Sequence, residues 1–210
     1  FEVPLGAAAL CEEIRRLLSE IRARGASGDH AVRVMVTRGE GPMGLDPTSV
    51  RAARRVAFFE PVQGPPPQAY ADGVSVITYA TFRPSDAARG AKVGNYLESI
   101  LAIREARAAS AHEALIVDVA GAVLEGTTSN VFAIKDGVLC TPPETLTILP
   151  GITRRLGLAA APDAGLVSRE VMLTKADLLA AEEVFLTSTI REVLPVVRVD
   201  GAVVGLGKPG

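Results

Sequence analysis

Four short segments of this chain carry residues that can do chemistry, and they follow one another in order. Lys92-Val93-Gly94-Asn95-Tyr96 supplies an amine. Glu125-Gly126-Thr127-Thr128-Ser129-Asn130-Val131-Phe132 supplies a carboxylate followed by hydroxyls. Leu149-Pro150-Gly151-Ile152-Thr153-Arg154 and Glu183-Val184-Phe185-Leu186-Thr187-Ser188-Thr189 each end in donors suited to an anion. An amine attacks an aldehyde, a carboxylate keeps a pyridine nitrogen protonated, and hydroxyls with free backbone N–H groups hold a phosphate. This is the set that an aldehyde cofactor carrying a phosphate and a pyridine nitrogen requires.

Each residue also has a plainer reading. A lysine is ordinarily a solvated surface group, and a glutamate before a Gly/Thr/Ser turn is ordinarily an exposed hairpin acid. Pro-Gly before a helix, as at Pro150-Gly151, is common punctuation. The free N–H groups at a helix start nevertheless make an anion site, to which Thr153 adds a hydroxyl. Arg33 interrupts an apolar strand and can simply face solvent. Tyr96 can pack in a core or present its hydroxyl to a ligand. Lys92 precedes a helix, whose positive dipole end disfavours a charged amine.

The ordered motifs resemble those of the class IV, or fold-type-IV, pyridoxal-phosphate aminotransferases, a family that includes branched-chain aminotransferases, D-amino-acid aminotransferases and aminodeoxychorismate lyase. The likeness is strongest over residues 92–210 and reaches back, more weakly, to about Arg33. It implies pyridoxal 5′-phosphate as cofactor, with Lys92 as the lysine that carries it and moves the proton at the substrate α-carbon. Glu125 would sit beside the pyridine nitrogen, and Tyr96 near the phenolic oxygen. Ile152 and Thr153, with Ser188 and Thr189, would form the phosphate cup. Asn130 would orient its turn. Arg33 resembles a substrate-carboxylate arginine of the branched-chain enzymes. The Arg-x-His trap found in D-amino-acid enzymes is replaced by Met43 and Leu45.

The activity so implied is transfer of an amino group from a branched-chain or apolar L-amino acid to a 2-oxo acid. The alternatives are pyruvate elimination like that of aminodeoxychorismate lyase, D-amino-acid transamination, or a truncated chain with little activity. A cytoplasmic homodimer is expected. The family's first strands, with an arginine that grips the phosphate, and its final helix have no counterpart in this sequence. The chain is therefore expected to be truncated at both ends, or to have disordered ends.

The elements that must position these residues follow from periodicity. Residues 5–24 place Leu5, Leu10, Ile14, Leu17, Leu18 and Ile21 at helical spacing, closed by Gly25. Residues 31–37 and 55–60 read as strands around a Gly/Pro loop. Residues 61–73 hold four prolines and read as a linker. A strand over 74–79 and a polar loop lead to a helix over 95–109, with Leu97, Ile100, Leu101 and Ala108 on one face. Strands are expected at 114–119, 122–125, 130–135, 138–141, 166–171, 183–187, 193–199 and 202–205, and helices at 151–160 and 174–181. Asp136-Gly137 and Asp200-Gly201 are hairpin turns. Strands and helices mix without strict alternation, so the expected class is α+β. The expected domains are 1–60, the remainder of a small α/β domain, and 74–210, the cofactor domain, joined by 61–73.

Composition narrows the partners. The chain has 210 residues, a formal net charge of −2, no Trp and 4% aromatic residues. Neither a nucleic-acid nor an anionic-membrane surface is expected. No apolar run is long enough to span a bilayer, and no basic region precedes the apolar start. Cys11 and Cys140 stand far apart and are expected to be reduced and buried. With only His30 and His112, no metal site is expected. Gly39-Glu40-Gly41-Pro42-Met43-Gly44 fits a dinucleotide fingerprint, but Pro42 lies inside it and no helix is expected after it. Gly205–Gly210 fits the same pattern with nothing to follow.

Overall fold

The computed structural model describes residues 6–81, 92 and 94–210, so Leu5, Val93 and most of the polar loop expected between residues 79 and 95 lie outside the described residues. The chain forms two compact units, Phe1–Gln63 and Gly64–Gly210.

In the first unit, α1 spans Ala7–Ala23 and ends at Gly25, whose φ of +97° suits a residue without Cβ. Two strands, β1 (His30–Thr37) and β2 (Arg54–Pro61), pair antiparallel, with Arg33 opposite Phe58. The loop between them, residues 38–53, holds the Gly39–Gly44 segment. Glu40 bridges Arg51, Arg54 pairs with Glu40, and Asp46 caps a single 3-10 turn at Pro47–Ser49. A dinucleotide fingerprint needs a parallel pair and a helix, and this loop closes an antiparallel one. Among the described residues of this unit no side chain is fully buried, because one helix on two strands covers little area.

The second unit opens with α2, Pro67–Asp72, inside the stretch read from sequence as linker. Pro67 pre-sets the backbone angle of a first helical turn. Ala69 and Tyr70 pack on the main core, and the Tyr70 hydroxyl donates to the Arg191 carbonyl at 3.0 Å. Those contacts are long-range, so local composition reported only the prolines. At Gly73 (φ +74°) a Cβ would run into Val197.

A mixed sheet dominates this unit. Its strands are β3 (Val74–Ala80), β4 (Glu113–Val117), β5 (Ala122–Gly126), β6 (Asn130–Lys135), β7 (Val138–Thr141), β8 (Val167–Glu170), β9 (Leu173–Thr174), β10 (Glu183–Ser188), β11 (Glu192–Val199) and β12 (Ala202–Val203). Among the described residues the order is β8-β7-β6-β10-β11-β3-β4-β5-β9, with β12 on β11. The β11-β3, β3-β4 and β7-β8 pairs are parallel and the rest antiparallel. Asp136 and Gly137, both with positive φ, make the tight turn between β6 and β7, and Asp200 and Gly201 do the same after β11.

The main core gathers Val76, Leu115, Val131, Leu186, Leu194 and their neighbours. On a second cluster, α3 (Leu97–Ala108) packs through Ala102, Ile103 and Ala106 rather than through Leu97 and Ile100. Leu97 and Ile100 are 62% and 58% exposed. The face expected to be buried therefore points outward, because two alanines let the helix lie close on β4 where leucines would hold it off. The third cluster seats α4 (Ile152–Ala160). Phe132 and Phe185 stack at 5.1 Å between ring centres, and Gly157 of α4 lies against Phe132. Helix α5 (Lys175–Leu179) begins with a capping box between Thr174 and Asp177. Among the described residues both cysteines are free; Cys140 is half-buried, whereas Cys11 is exposed on α1, contrary to the expectation of burial, because α1 has too little against it.

Candidate functional site

Asn130 is the junction of the site. It opens β6 opposite Thr187, the penultimate residue of β10. Its side-chain amide donates to the Leu149 carbonyl at 2.8 Å. Gly151, the N-cap of α4, comes so close that a Cβ there would overlap Asn130 Oδ1. One buried asparagine thus brings together the end of β10 and the first turn of α4.

Glu125 joins the same place from β5. It is 9% exposed, not the exposed hairpin acid of the plainer reading. Its Oε2 accepts the Leu149 N–H at 2.9 Å. The two backbone polar groups of Leu149 are therefore shared between Glu125 and Asn130, which locks the loop before α4 against the ends of β5 and β6. Arg154, 1% exposed, holds the other end of that loop. Its guanidinium donates to Glu144 and to the Pro142 carbonyl, each at 2.9 Å, and meets Glu170 at 3.0 Å.

Ile152 is exposed and Thr153 half-buried at the first turn of α4. The backbone N–H groups of such a turn have no partner within their own helix. Ser188 is half-buried and accepts the Arg191 N–H at 3.3 Å, and Thr189 is exposed. Between these turns the Thr187 hydroxyl is buried without a hydrogen-bond partner. An orphaned hydroxyl, a helix start and a serine at one strand end suit a group with several acceptor oxygens.

Lys92 is exposed. The strand that leads toward it has Tyr79 opposite Ile116, and Ile116 is opposite Glu125, so the three occupy one row across β3, β4 and β5. Thr81 follows just beyond that row, and its hydroxyl donates to Glu98 in the first turn of α3 at 2.7 Å. Thr81 and Glu98, on either side of Lys92 in the sequence, are thus held together. The half-buried Tyr96 is the N-cap of α3. Because α3 starts at Leu97 and not at Asn95, Lys92 lies more than one turn ahead of it. A helix dipole acts within about its first turn, so it has less influence on Lys92 than the sequence suggested. Arg33, in the other unit, is exposed on β1.

Sequence reasoning missed three groups. Arg154 reads from sequence as either an anion contact or a surface charge; it is a buried clamp. Glu113 and Arg191 belong to none of the chemical motifs. Glu113 is fully buried at the start of β4 and accepts from Thr127, Thr128 and Ser129, while Arg191 meets it at 3.2 Å. A signal for Glu113 was present: a charge heading the apolar run Ala114–Val117, and a cluster of hydroxyl donors needing an acceptor. His112 lies next to them. Burial, then the Arg191 charge, lowers its imidazole below the ordinary histidine range, against the opposing pull of Glu113. Its Nε2 is buried without a partner.

The profile of the amino-transferase class IV family matches residues 4–199. The chain is 41% identical over 178 residues to a Methanocaldococcus jannaschii protein provisionally named branched-chain-amino-acid aminotransferase, covering 84% of this chain and 61% of that one. It is 36% identical over 198 residues to D-alanine aminotransferase of Bacillus licheniformis, covering 94% of this chain and 69% of that one. Its structure matches that of the Escherichia coli branched-chain amino acid aminotransferase. That match has a TM-score of 0.89 and 33% identity, over 100% of this chain and 68% of the other. The α+β class and fold-type-IV architecture expected from the motifs are the ones the chain adopts.

Proposed function

The chain belongs to the class IV aminotransferase family, and on that premise we propose that it works as a pyridoxal-phosphate-dependent aminotransferase. Its lead substrates are a branched-chain or apolar L-amino acid and a 2-oxo acid. The observation that carries this reading is Glu125, a carboxylate almost wholly buried and held by the Leu149 N–H beside an anion cradle. A buried carboxylate beside a pyridine nitrogen would keep that nitrogen protonated.

Pyridoxal phosphate, when bound, supplies an aldehyde that takes up the amino group and a pyridinium that withdraws electrons from the carbon losing its proton. Ile152, Thr153, Ser188 and Thr189 would hold the phosphate, and Tyr96 the phenolic side of the ring. Glu125 would keep the ring nitrogen protonated. Lys92 would bear the cofactor at rest and, when displaced by substrate, move the proton at the substrate α-carbon. Arg33 would pair with the substrate carboxylate. The residues present fit the group: a buried acid, a helix start and an orphaned hydroxyl gather around Asn130 and Leu149, where β6 begins and β10 ends. We propose that the protein works in the cytoplasm as a homodimer.

A second reading is D-amino-acid transamination, supported by the likeness to the Bacillus licheniformis D-alanine enzyme. The exposed Met43 and Leu45 weigh against it, since they offer no charge to a carboxylate.

The test uses the full-length protein. Purified protein given pyridoxal phosphate should gain a visible absorbance band, and borohydride should fix the cofactor on Lys92. Paired L- and D-amino acids with 2-oxo acid acceptors then separate the readings, since a lyase needs no acceptor. Lys92→Ala should abolish transamination, and full activity in that variant would sink the mechanism.

A further inference from the structure

Glu113 and Arg191 form a clasp between two turns. The first turn, Gly126–Ser129, follows Glu125. The second, Ser188–Arg191, follows β10. Glu113 Oε1 accepts the Thr127 hydroxyl at 2.7 Å and the Thr128 N–H at 2.9 Å, and Oε2 accepts the Ser129 hydroxyl at 3.1 Å. The first turn is packed tightly on this carboxylate: a Cβ at Gly126 would overlap Ser129 Oγ and crowd Glu113. Arg191 belongs to the second turn. Its Nη1 lies 3.2 Å from Glu113 Oε2 and donates to Thr128 Oγ1 at 2.8 Å. Its main chain is fixed as well, the N–H on Ser188 Oγ and the carbonyl under the Tyr70 hydroxyl.

We propose that Glu113 and Arg191 are positioning residues that set the spacing between the Glu125 turn and the Ser188–Thr189 turn. The inference rests on the cofactor reading of those turns given above. The turns leave strands that are not neighbours: β10 adjoins β6 and β11, whereas β5 adjoins β4 and β9. The β6–β10 ladder fixes only the far end of the first turn, where Asn130 lies opposite Thr187, so side chains must fix its Glu125 end. A fully buried carboxylate suits that task, because it strongly favours a geometry in which all its donors are present together. One rigid spacing matters where a ring nitrogen and a phosphate of a single molecule must be met at once.

The experiment compares wild type, Arg191→Met, Arg191→Lys and Glu113→Gln in the full-length protein. Amide exchange is followed without cofactor, and pyridoxal phosphate binding is measured by titration. In Arg191→Met, exchange should rise in residues 126–129 and 188–191 together, while the centres of β6 and β10 stay protected. Binding should weaken about tenfold or more, the worth of one lost charge-assisted bond. Arg191→Lys should recover most of that loss, since an ammonium still meets Glu113. If Glu113→Gln fails to fold, the Arg191 pair alone decides. Unchanged exchange in either turn, or wild-type affinity in Arg191→Met, overturns the proposal. Equal losses of affinity in the Met and Lys variants, in step with their thermal midpoints, would reduce the clasp to a structural pair and overturn it too. Wild-type protein that takes up no pyridoxal phosphate overturns the cofactor reading itself, a failure visible before any variant is made.

Discussion

At the scale of single residues, the decisive quantity is how an ionisable group is buried. Glu125 keeps the Leu149 N–H as a partner, and a glutamine could accept the same bond. Glu125→Gln should therefore fold normally and bind pyridoxal phosphate nearly as well. Turnover should fall about 100-fold or more, because an amide cannot keep a ring nitrogen protonated. Steady-state kinetics beside a cofactor titration checks this, and preserved turnover with weakened binding would contradict the role. His112 has its own signature. Its imidazole is lowered in the folded chain, first by burial and then by Arg191, whereas the unfolded chain titrates near the usual value of about 6.5. Below that pH the unfolded state binds a proton that the folded state refuses. Stability should thus be whole above about pH 6.5 and decline as pH falls toward the lowered folded value. Urea titrations from pH 7.5 to 5 should show this limb flattened in His112→Gln; an unchanged limb assigns it to other groups. The Glu125 motif was legible because its residue types sit together in sequence. Glu113 and Arg191 were not, because their meaning lies in a contact across 78 positions (191 − 113) that no local pattern carries.

At the scale of elements, legibility followed locality. The antiparallel hairpins announced themselves through Asp136-Gly137 and Asp200-Gly201, whose positive φ values are what such turns need. Helix α2 did not, since it stands on Tyr70 packing and a bond to Arg191 rather than on propensity. The buried face of α3 reads wrongly from sequence because apolar spacing marks an amphipathic stripe but not which neighbour covers it. Ala102 and Ala106, bland in sequence, are the buried residues. The start of α4 shows how an element is aimed. Gly151 is there for closeness rather than for an unusual φ, since its φ is −68°. In Gly151→Ala the new methyl must displace the Asn130 amide and break its bond to Leu149. The expected cost is about 1 kcal/mol, or about 2–4 °C in thermal midpoint for a chain of this size, with weaker pyridoxal phosphate binding. Asn130→Ala in that background should add little, because both changes remove one bond. Additive losses measured by calorimetry would show that the two residues act separately.

At the scale of the whole molecule, the two units differ in what they bury. The second holds strands such as β4 and β5 in which every residue is buried. The first leaves Val32, Met35, Val36, Val56 and Phe58 exposed along its two strands. Apolar burial is the main favourable contribution to folding, at roughly 25 cal/mol per Å². A two-stranded sheet under one helix gathers little of it. Opening free energies should therefore divide at the boundary between the units. In native-state exchange on residues 1–210, amides of β1 and β2 should open at a small fraction of the free energy needed for β4, β6 and β10. Denaturant should erase their protection first. Matched protection in both units would mean that something covers the β1–β2 sheet in solution. A second copy of the chain is the covering partner expected of the proposed homodimer, and it would make β1 and β2 protection rise with protein concentration. Protection that is high but independent of concentration would exclude that source.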